Sequence, residues 1–379
     1  MSDVLIVADT QRSPELRHEV PLLIPDPFVY VEVAGVRRVA VVSFELTRIE
    51  ELGLDIDAIA WEDLGYDELA EQGLPSHEVA RELCLRACRA FELTSARVPE
   101  SFPTGVADHL RSVGIELTVD PEHFRARRRV KNAAELAGIR RAQRGAEAAM
   151  SAARDVLARA ERRNGSLVLD GEVLTCESLK RQVDDAFVRH GLSAEESVVS
   201  HGSQTAVGHD MGSGEIAADD VVLLDLFPVD KATGCYADMT RTFAVGEPPP
   251  EIREYQPLVK EALELAVAAI RPGVNGRDVH RLVCDFFNQH GFPTQLHKAE
   301  GEVIVDGFYH GTGHGVGLAV HEAPSLGRIG DDLVAGDVIT IEPGLYRSGT
   351  GGVRLEDLVL VTEDGGEVLT DFPYDLEVG

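Results

Sequence analysis

The sequence predicts a mixed α/β (α+β) protein of two domains, a smaller one over residues 1–122 and a larger one over residues 123–379. In the first part, strand-like apolar runs alternate with helical patterns. A polar, arginine-rich stretch then precedes a long helical pattern, and two similar amphipathic segments follow, 100 residues apart. A chain of 379 residues is long enough for two domains with their own cores.

The smaller domain is predicted to be α/β because apolar runs and a helical pattern alternate along it. The runs are VLIVAD, FVYVEV, VAVVSF and DAIAW, and the helical pattern is HEVARELCLRACRAFEL. Cys84 and Cys88 share one face of that predicted helix. They are either half of a metal site or, as we expect, two buried small residues. The domain carries no catalytic motif, and we expect it to support the fold or form a dimer contact.

The larger domain is predicted to begin with a linker and one long helix. The linker DPEHFRARRRV is polar, and we expect its arginines to form salt bridges rather than a nucleic-acid patch. These arginines are Arg125, Arg127, Arg128 and Arg129. Residues 131–165 have apolar positions at helical spacing, and Asn164-Gly165 is predicted to end the helix.

A weak internal repeat predicts that the larger domain has two similar halves. The segments LTCESLKRQVDDAFVRHGL (174–192) and NGRDVHRLVCDFFNQHGF (275–292) are both amphipathic and both end near a His-Gly pair. Glycine in the left-handed conformation commonly ends a helix. Each segment follows a long helical pattern and precedes strand-like sequence. We therefore expect two helix-helix-strand halves, related by a pseudo-twofold axis, around one cleft.

Charge and composition narrow the classes of partner. The chain has 65 acidic and 36 basic residues, a net charge of −29, which argues against nucleic acid or an anionic membrane as a partner. The first residues lack a signal-peptide pattern, and no run of about 18 apolar residues predicts a membrane span. Five cysteines without a C-x-x-C pattern suit a reducing compartment. We expect a cytoplasmic protein.

Two carboxylates of a predicted β-hairpin are candidate metal ligands. The segment VVLLDLFPVDKATGCYADMTRTFAV (221–245) has the pattern of strand, turn and strand, and Asp225 interrupts an otherwise apolar run. A buried carboxylate is costly unless a cation compensates it. Strand pairing would bring Asp238 beside Asp225, where a shared cation would relieve their repulsion. An ion pair between Asp238 and Arg241 is the alternative.

Histidines and further carboxylates add to this set. His310, His314 and His321 lie in the glycine-rich stretch HGTGHGVGLAVHE, which predicts a metal ligand with substrate-contacting neighbours. His209, in another Ser/Gly-rich stretch, is a candidate for substrate contact.

Glu342 ends the apolar strand VITIE before a Pro-Gly turn. Arg354 and Glu356 are two apart on another predicted strand, so both side chains should lie on one face, with a salt bridge at a sheet edge as the alternative. Carboxylates with one imidazole suit paired ions such as Mn²⁺, Co²⁺, Fe²⁺ or Zn²⁺. The predicted metal ligands are Asp225, Asp238, His314, Glu342 and Glu356.

The motifs DLFPVDKATGCYADMTRTF, HGTGHGVGLAVHE, IEPGLY and VRLED, in this order, resemble the pita-bread metallopeptidases over about residues 123–370. That family includes prolidase (Xaa-Pro dipeptidase), aminopeptidase P and methionine aminopeptidase. The resemblance implies a pita-bread domain with two divalent ions, manganese first and cobalt, zinc or iron as alternatives. It implies that Asp225 binds one ion, that Asp238 and Glu356 bridge both, and that His314 and Glu342 bind the other. The residues that match the family's substrate and proton-handling positions are His209, His310, His321 and Arg354.

Three features favour the prolidase and aminopeptidase P branch: the preceding α/β domain, the entry segment RRRVKNAAELAGIRRAQ, and the sequence Arg-Leu-Glu-Asp at 354–357. We expect a homodimer and a peptide substrate. One motif departs from the family, which usually has Asp-Phe-Gly-Ala where this chain has Asp225-Leu226-Phe227-Pro228, and the hairpin is about two residues longer. The metal centre should persist, whereas the pocket beside it should differ.

The expected reaction is hydrolysis of the bond before proline, in Xaa-Pro dipeptides or at the amino terminus of Xaa-Pro peptides, by a hydroxide that bridges two metals. Glu342 would relay a proton to the leaving nitrogen, and His321 or His209 would steady the tetrahedral intermediate. Arg354 would orient a carboxylate or hold Glu356. Two alternatives stay open: another C–N hydrolase on the same scaffold, and a binding protein of this fold without turnover.

Overall fold

A computed structural model of the chain describes residues 3–378 and divides it into two units, the first ending at Arg128 and the second beginning at Arg129. Helices and strands mix in both units, as the predicted fold class requires. The placement of a domain boundary after residue 122 stays a prediction.

The first unit contains a six-stranded mixed sheet with strand order β4-β3-β2-β1-β5-β6. Its strands are β1 (Val4–Ala8), β2 (Phe28–Val33), β3 (Val36–Val41), β4 (Asp57–Ala60), β5 (Ser95–Val98) and β6 (Glu116–Val119). Its helices are α1 (Pro14–Glu19), α2 (Leu46–Glu50), α3 (Tyr66–Glu71), α4 (Ser76–Ala90), α5 (Thr104–Ser112) and α6 (Pro121–Arg129). The antiparallel pairs are β1–β2 and β2–β3, whereas β3–β4, β1–β5 and β5–β6 are parallel.

Alternate residues of the central strands enter two hydrophobic cores, one on each face of this sheet. Leu5 belongs to one core, whereas Val4 and Ile6 belong to the other, as the two-residue period of a strand requires. The four predicted strands are confirmed. Cys84 and Cys88 on α4 are buried in the first core, so the prediction of two buried small residues is also confirmed.

Residues 121–129 of the predicted linker form the helix α6, which the sequence analysis did not predict. Its only buried side chain is that of Phe124, so the segment has no apolar stripe that would predict a helix. The predicted salt bridges are present instead. Arg127 pairs with Glu19 and Glu32 at 2.6 and 2.7 Å. The other pairs are Arg125–Glu122, Arg128–Glu15 and, in the second unit, Arg129–Asp337.

The second unit contains four α-helices and fifteen strands among the residues that the structure describes. The helices are α7 (Ala133–Arg159), α8 (Cys176–Arg189), α9 (Pro250–Ala269) and α10 (Gly276–Gln289). The strands of its first half are β7 (Glu161–Arg163), β8 (Ser166–Leu169), β9 (Glu172–Val173), β10 (Leu192–Ser193), β11 (Val198–His201), β12 (Val221–Leu226), β13 (Val229–Asp230) and β14 (Met239–Ala244). Those of its second half are β15 (Gly313–Gly315), β16 (Glu322–Leu326), β17 (Val338–Ile341), β18 (Gly344–Arg347), β19 (Gly351–Arg354), β20 (Asp357–Thr362) and β21 (Gly365–Val368).

These elements form the two predicted halves. In the first half, α7 and α8 share a core with the antiparallel sheet β11-β12-β14. In the second half, α9 and α10 share a core with the antiparallel sheet β16-β15-β17-β20-β21. The repeat helices α8 and α10 have His190 and His290 as their C-cap residues, and the glycines that follow have positive φ angles of 73° and 87°. The glycine stops are therefore confirmed.

The long helix is shorter than predicted. A capping box of Asn132 and Glu135 begins α7, which ends at Arg159. Asn164 and Gly165, both at positive φ, instead form the turn between β7 and β8. Asn-Gly is the preferred pair for such a two-residue hairpin turn, so this signal marked a hairpin rather than a helix end.

Within residues 3–378, no helix combines the length and the apolar character that crossing a membrane requires.

Candidate metal centre

One cavity of about 640 Å³ in the second unit is lined by every site residue that the sequence predicted. These residues are His209, Asp225, Asp238, His310, His314, His321, Glu342, Arg354 and Glu356. They come from both halves of the unit, so the cavity lies where the two sheets face each other.

The hairpin β12–β14 supplies the first two carboxylates. Asp225 lies on β12 opposite Thr240, and Asp238 lies one residue before β14 begins. The predicted ion pair between Asp238 and Arg241 is wrong, because the carboxylate partner of Arg241 is Asp357 at 2.9 Å.

Glycines allow the strand that carries His314 to lie close to its neighbours. A Cβ atom at Gly313 would lie 1.9 Å from the carbonyl oxygen of Thr340, and one at Gly315 would lie 2.1 Å from that of Ala323. Only residues without a side chain fit such spacings. The glycine-rich stretch is therefore a packing requirement that brings His314 to the cavity.

Glu342 and Glu356 each lie just beyond a strand end. Glu342 follows β17, and Glu356 lies between β19 and β20. The prediction of one strand carrying both Arg354 and Glu356 is wrong, since Arg354 ends β19. The two side chains still converge, because the Thr240 hydroxyl accepts from Arg354 Nε at 3.2 Å and donates to Glu356 Oε2 at 2.7 Å.

Arg354 is buried, and it is held by groups of the site. Its Nη2 donates to Asp225 Oδ2 at 2.7 Å and its Nη1 to the hydroxyl of Tyr346 at 3.1 Å. The alternative of an ion pair with Glu356 is therefore wrong for this arginine, because its salt-bridge partner is Asp225. Its guanidinium fixes the carboxylate of a predicted metal ligand.

The possible ligand atoms lie close enough to share a cation. One such atom from each of Asp238, His314 and Glu356 lies within 4.8 Å of the others. His314 Nε2 is also 3.7 Å from Glu342 Oε1. His314 Nδ1 faces the carbonyl oxygen of Gly315 at 3.1 Å, which can only accept a hydrogen bond. Nε2 therefore carries the lone pair and points at the carboxylates, as a metal ligand must.

The charge balance of this cluster fits a bound cation. Burial raises the pKa of Asp238 and Glu356 well above the usual range of a carboxyl group, and the surrounding carboxylates raise it further. Burial also raises the pKa of Glu342, although Arg354 opposes this shift. Among the residues described, Asp225 Oδ1 and Asp238 Oδ1 are buried without a hydrogen-bond partner. Such atoms are costly in isolation, and divalent cations compensate them.

Two histidines of the cavity, His310 and His314, are held neutral. Burial lowers the pKa of His314 to about 4 and that of His310 to about 3, with the charge of Arg354 adding to the second shift. His310 Nδ1 donates to the carbonyl oxygen of Gly311 at 2.8 Å, so its Nε2 accepts from the Tyr346 hydroxyl at 2.9 Å. The His321 ring packs edge-on against His314, with ring centroids 4.3 Å apart.

Tyr346 and Thr240 are site residues that the sequence analysis did not predict. Both are buried, and each hydroxyl links two groups of the site. Each lies on a strand, where a hydroxyl resembles an ordinary core or sheet position. The one sequence signal for them is that each lies within one of the four motifs.

The cavity also has an apolar wall. Phe227, from the departure in the first motif, lines it and is only partly buried. The other apolar lining residues are Val198, Val207, Met211, Tyr309 and Val320. An apolar substrate group therefore has room beside the polar cluster.

Comparison with known proteins places the chain in a family of metallopeptidases. Residues 137–363, more than half of the chain, match the model of metallopeptidase family M24. The chain is 35% identical over 179 residues to the Xaa-Pro dipeptidase of Pyrococcus furiosus, covering 47% of each protein. It is 37% identical over 186 residues to the uncharacterized peptidase YqhT of Bacillus subtilis, covering 48% of this chain and 49% of that one. The chain thus spans about half the length of the curated relatives that it matches.

Solved structures share the fold over almost the whole chain. The Xaa-Pro dipeptidase from Bacillus anthracis has a TM-score of 0.76 at 23% identity, covering 99% of this chain and 94% of that one. The X-Pro aminopeptidase from Thermotoga maritima has a TM-score of 0.77 at 20% identity, covering 99% and 97%. These likenesses show the pita-bread fold that the sequence predicted. On the match over residues 137–363, the chain belongs to metallopeptidase family M24.

Proposed function

We propose that this protein is a two-metal peptidase that hydrolyses the bond before proline, in Xaa-Pro dipeptides or at the amino terminus of Xaa-Pro peptides. The observation that carries the proposal is the set of four carboxylates and His314 that lines one cavity, in which two carboxylate oxygens are buried without hydrogen-bond partners among the residues described. The similarity to a Xaa-Pro dipeptidase supports the substrate class.

The cluster would hold two divalent ions. Asp225 would bind one, Asp238 and Glu356 would bridge both, and His314 and Glu342 would bind the other. The chemistry supplied by such ions is Lewis acidity, which lowers the pKa of a water molecule and stabilises negative charge on the scissile carbonyl oxygen. The carboxylate-rich donor set with one imidazole suits manganese, with cobalt, iron or zinc as alternatives.

Glu342 is the proton carrier of the proposed reaction. Its carboxylate would accept a proton from the attacking water and pass it to the leaving nitrogen. Burial raises its pKa, which makes it a better base than an exposed glutamate. The relay is needed because a proline nitrogen is a tertiary amide in the substrate and must gain a proton to leave.

Histidines and Arg354 have supporting roles. His209, His310 and His321 line the cavity and would contact the substrate or the developing tetrahedral intermediate. Arg354 is a positioning residue, because Asp225, Thr240 and Tyr346 occupy its guanidinium.

The test is an assay of the metal-loaded protein against Xaa-Pro dipeptides, longer Xaa-Pro peptides and methionine-initiated peptides. We expect cleavage of the Xaa-Pro substrates and loss of activity on chelation. Preferential cleavage of methionine-initiated peptides, or chelator-resistant cleavage, would refute the proposal. Binding of these peptides without turnover would instead favour a binding protein of the same fold.

The position of Phe227 favours a second candidate, another C–N hydrolase on this scaffold. Its ring lines the cavity where the family usually has glycine. If the ring limits the substrate, Phe227→Gly should raise kcat/KM for large-residue Xaa-Pro substrates over Ala-Pro by about tenfold or more. Equal ratios in the variant and the wild type would show that Phe227 does not select among Xaa-Pro peptides. An inactive wild type that gains Xaa-Pro cleavage in the variant would favour the second candidate.

A homodimer and a cytoplasmic location complete the proposal. The location rests on the cysteine pattern, five cysteines without a C-x-x-C motif, and the dimer on the family resemblance. Light scattering of the purified protein and fractionation of cells that produce it would test both.

A further inference from the structure

A second buried arginine lies behind the metal centre. Arg241, three residues after Asp238 on β14, has only 1% of its surface exposed. All five of its N–H groups are used. Nε donates to the carbonyl oxygen of Pro373, and Nη1 donates to the carbonyl oxygens of Thr240 and Glu356. Nη2 donates to the carbonyl oxygen of Phe372 and to Asp357 Oδ1. The five distances are 2.7–3.0 Å. The proposed reaction uses none of these contacts.

The Nη1 group of Arg241 joins the two halves of the unit at Glu356. The carbonyl oxygen of Thr240 accepts from Arg241 Nη1 at 2.9 Å and from the backbone N–H of Glu356 at 3.1 Å. The carbonyl oxygen of Glu356 accepts from the same Nη1 at 2.7 Å. The backbone of Glu356 is therefore fixed at both its N–H and its carbonyl group against β14. This is the strand that follows Asp238, so the contacts set the distance between the two proposed bridging ligands.

Residues 372–374 also contact Arg241 and Asp357. Residues 372 and 373 offer their carbonyl oxygens to Arg241, and the ring of Tyr374 lies over its guanidinium at 4.6 Å. The Tyr374 hydroxyl donates to Asp357 Oδ2, while Asp357 Oδ1 pairs with Arg241. The segment therefore contacts both the arginine and the carboxylate that follows Glu356 in the chain.

We propose that residues 372–374, acting through Arg241 and Asp357, position Glu356 and Asp238 for metal binding. The inference rests on the proposed function, because it assumes that both carboxylates hold ions. Arg241, Asp357 and Tyr374 do not line the cavity. They are positioning residues, and they act by holding the backbone of the ligands at the spacing that the ions require.

The test is a calorimetric titration of metal-free protein with Mn²⁺, for the wild type, Arg241→Lys, Tyr374→Phe and the double variant. Lysine keeps the charge but cannot hold Glu356, Asp357 and the 372–373 carbonyl groups at once. We expect Arg241→Lys to weaken Mn²⁺ binding by roughly 10- to 100-fold, as is typical when partners of metal ligands are lost. Tyr374→Phe should weaken it less. The loss of Mn²⁺ affinity in the double variant should be smaller than the product of the two single losses, because both substitutions act on one hydrogen-bond network.

Tyr30→Phe is the matched control. Tyr30 is a fully buried tyrosine of the first unit whose hydroxyl lies 3.0 Å from Glu19 Oε2, so the change also removes a buried hydroxyl–carboxylate bond. Both tyrosine variants should lower the unfolding midpoint of the metal-free protein, but only Tyr374→Phe should change Mn²⁺ affinity. If Arg241→Lys does not fold, Tyr374→Phe and Tyr30→Phe carry the comparison.

Two results would overturn the inference, and they can be told apart. Folded Arg241→Lys and Tyr374→Phe variants that bind Mn²⁺ within twofold of the wild type would refute the positioning role and leave the proposed function intact. A wild type that binds no Mn²⁺ and no other divalent ion would refute both.

Discussion

Glu342 is the residue on which proton transfer depends in the proposed reaction. Glu342→Gln keeps the shape of the side chain and one ligand oxygen but removes the basic carboxylate. We expect kcat to fall by the ~10²- to 10⁴-fold typical of acid–base groups, with metal content retained. Steady-state kinetics on an Xaa-Pro dipeptide, with elemental analysis of the same samples, would check this.

Glu363→Gln, at an exposed glutamate of the same unit, is the control for this change and should behave as wild type. Turnover close to wild type in Glu342→Gln would assign the proton transfer to another group. Loss of metal from Glu342→Gln would show that Glu342 acts mainly as a ligand.

Replacing Arg354, which contacts the proposed ligand Asp225, tests whether turnover depends on the geometry of this side chain or only on its charge. Its planar fork reaches Asp225, Tyr346 and Thr240 together, and the ammonium group of lysine cannot reproduce three such directions. We expect Arg354→Lys to lower kcat by about tenfold or more, with both metal sites still filled at saturating Mn²⁺. Arg347→Lys, at an exposed arginine on β18, should leave kcat unchanged. Turnover close to wild type in Arg354→Lys would mean that the positive charge at this position, rather than the geometry of its contacts, is what matters.

At the scale of elements, helix α10 contains a buried histidine whose neutral form stabilises the fold. His280 Nδ1 lies 3.0 Å from the Thr312 hydroxyl, and burial lowers the pKa of His280 from 6.5 to about 4, with Arg328 adding to the shift. Between these two pH values the unfolded chain binds a proton that the folded chain does not. The contribution of His280 to the free energy of unfolding is therefore fully present above pH 6.5 and is lost as the pH falls towards 4. The loss should reach up to about 3 kcal/mol.

The measurement is urea unfolding of the wild type and His280→Gln at several pH values from 7.5 to about 4, with chelator present throughout. The difference between the two proteins isolates His280 from the other groups that titrate. We expect the wild type to lose more stability than the variant as the pH falls. Parallel curves would show that His280 does not cause the dependence.

The elements themselves were predictable where the sequence has a period. Apolar runs marked β1 and β2, and helical spacing with a glycine stop marked α8 and α10. Helix α6 was missed because salt bridges rather than an apolar face accompany it. Asn164-Gly165 was assigned to a helix end because the same residue pair also serves a hairpin turn.

The site was predictable to the extent that its ligands interrupt apolar strands or lie among glycines. All nine candidates line one cavity. Their partners were not predictable, because the contacts depend on register between strands far apart in the chain. Arg241 pairs with Asp357 rather than with Asp238 three residues away, and the Tyr346 hydroxyl reaches both His310 and Arg354. Sequence spacing carries no signal for such pairs.

At the scale of the whole molecule, the metal-free protein should be destabilised by the carboxylates of the proposed metal centre. Burial raises the pKa of Asp238, and the neighbouring carboxylates repel its charge. Keeping such a carboxylate ionised costs the folded state about 1.4 kcal/mol for each unit by which its pKa is raised. Asp238→Asn removes one of these charges without changing the shape. We expect the metal-free variant to be more stable than metal-free wild type at pH 8, by on the order of 1 kcal/mol.

Adding Mn²⁺ should make the wild type more stable than Asp238→Asn. Binding to the folded state alone stabilises the wild type by about 2.7 kcal/mol at an ion concentration 100 times the Kd, whereas the variant lacks a bridging ligand and should gain less. Urea unfolding with and without Mn²⁺ measures both orders. Urea unfolding therefore needs a control for net charge.

Asp185→Asn, at an exposed carboxylate on α8, is that control, because it removes the same formal charge from a chain of net charge −29. If Asp185→Asn stabilises the metal-free protein as much as Asp238→Asn, the cause is the overall charge. A metal-free Asp238→Asn less stable than wild type would show that Asp238 has a stabilising partner of its own without metal.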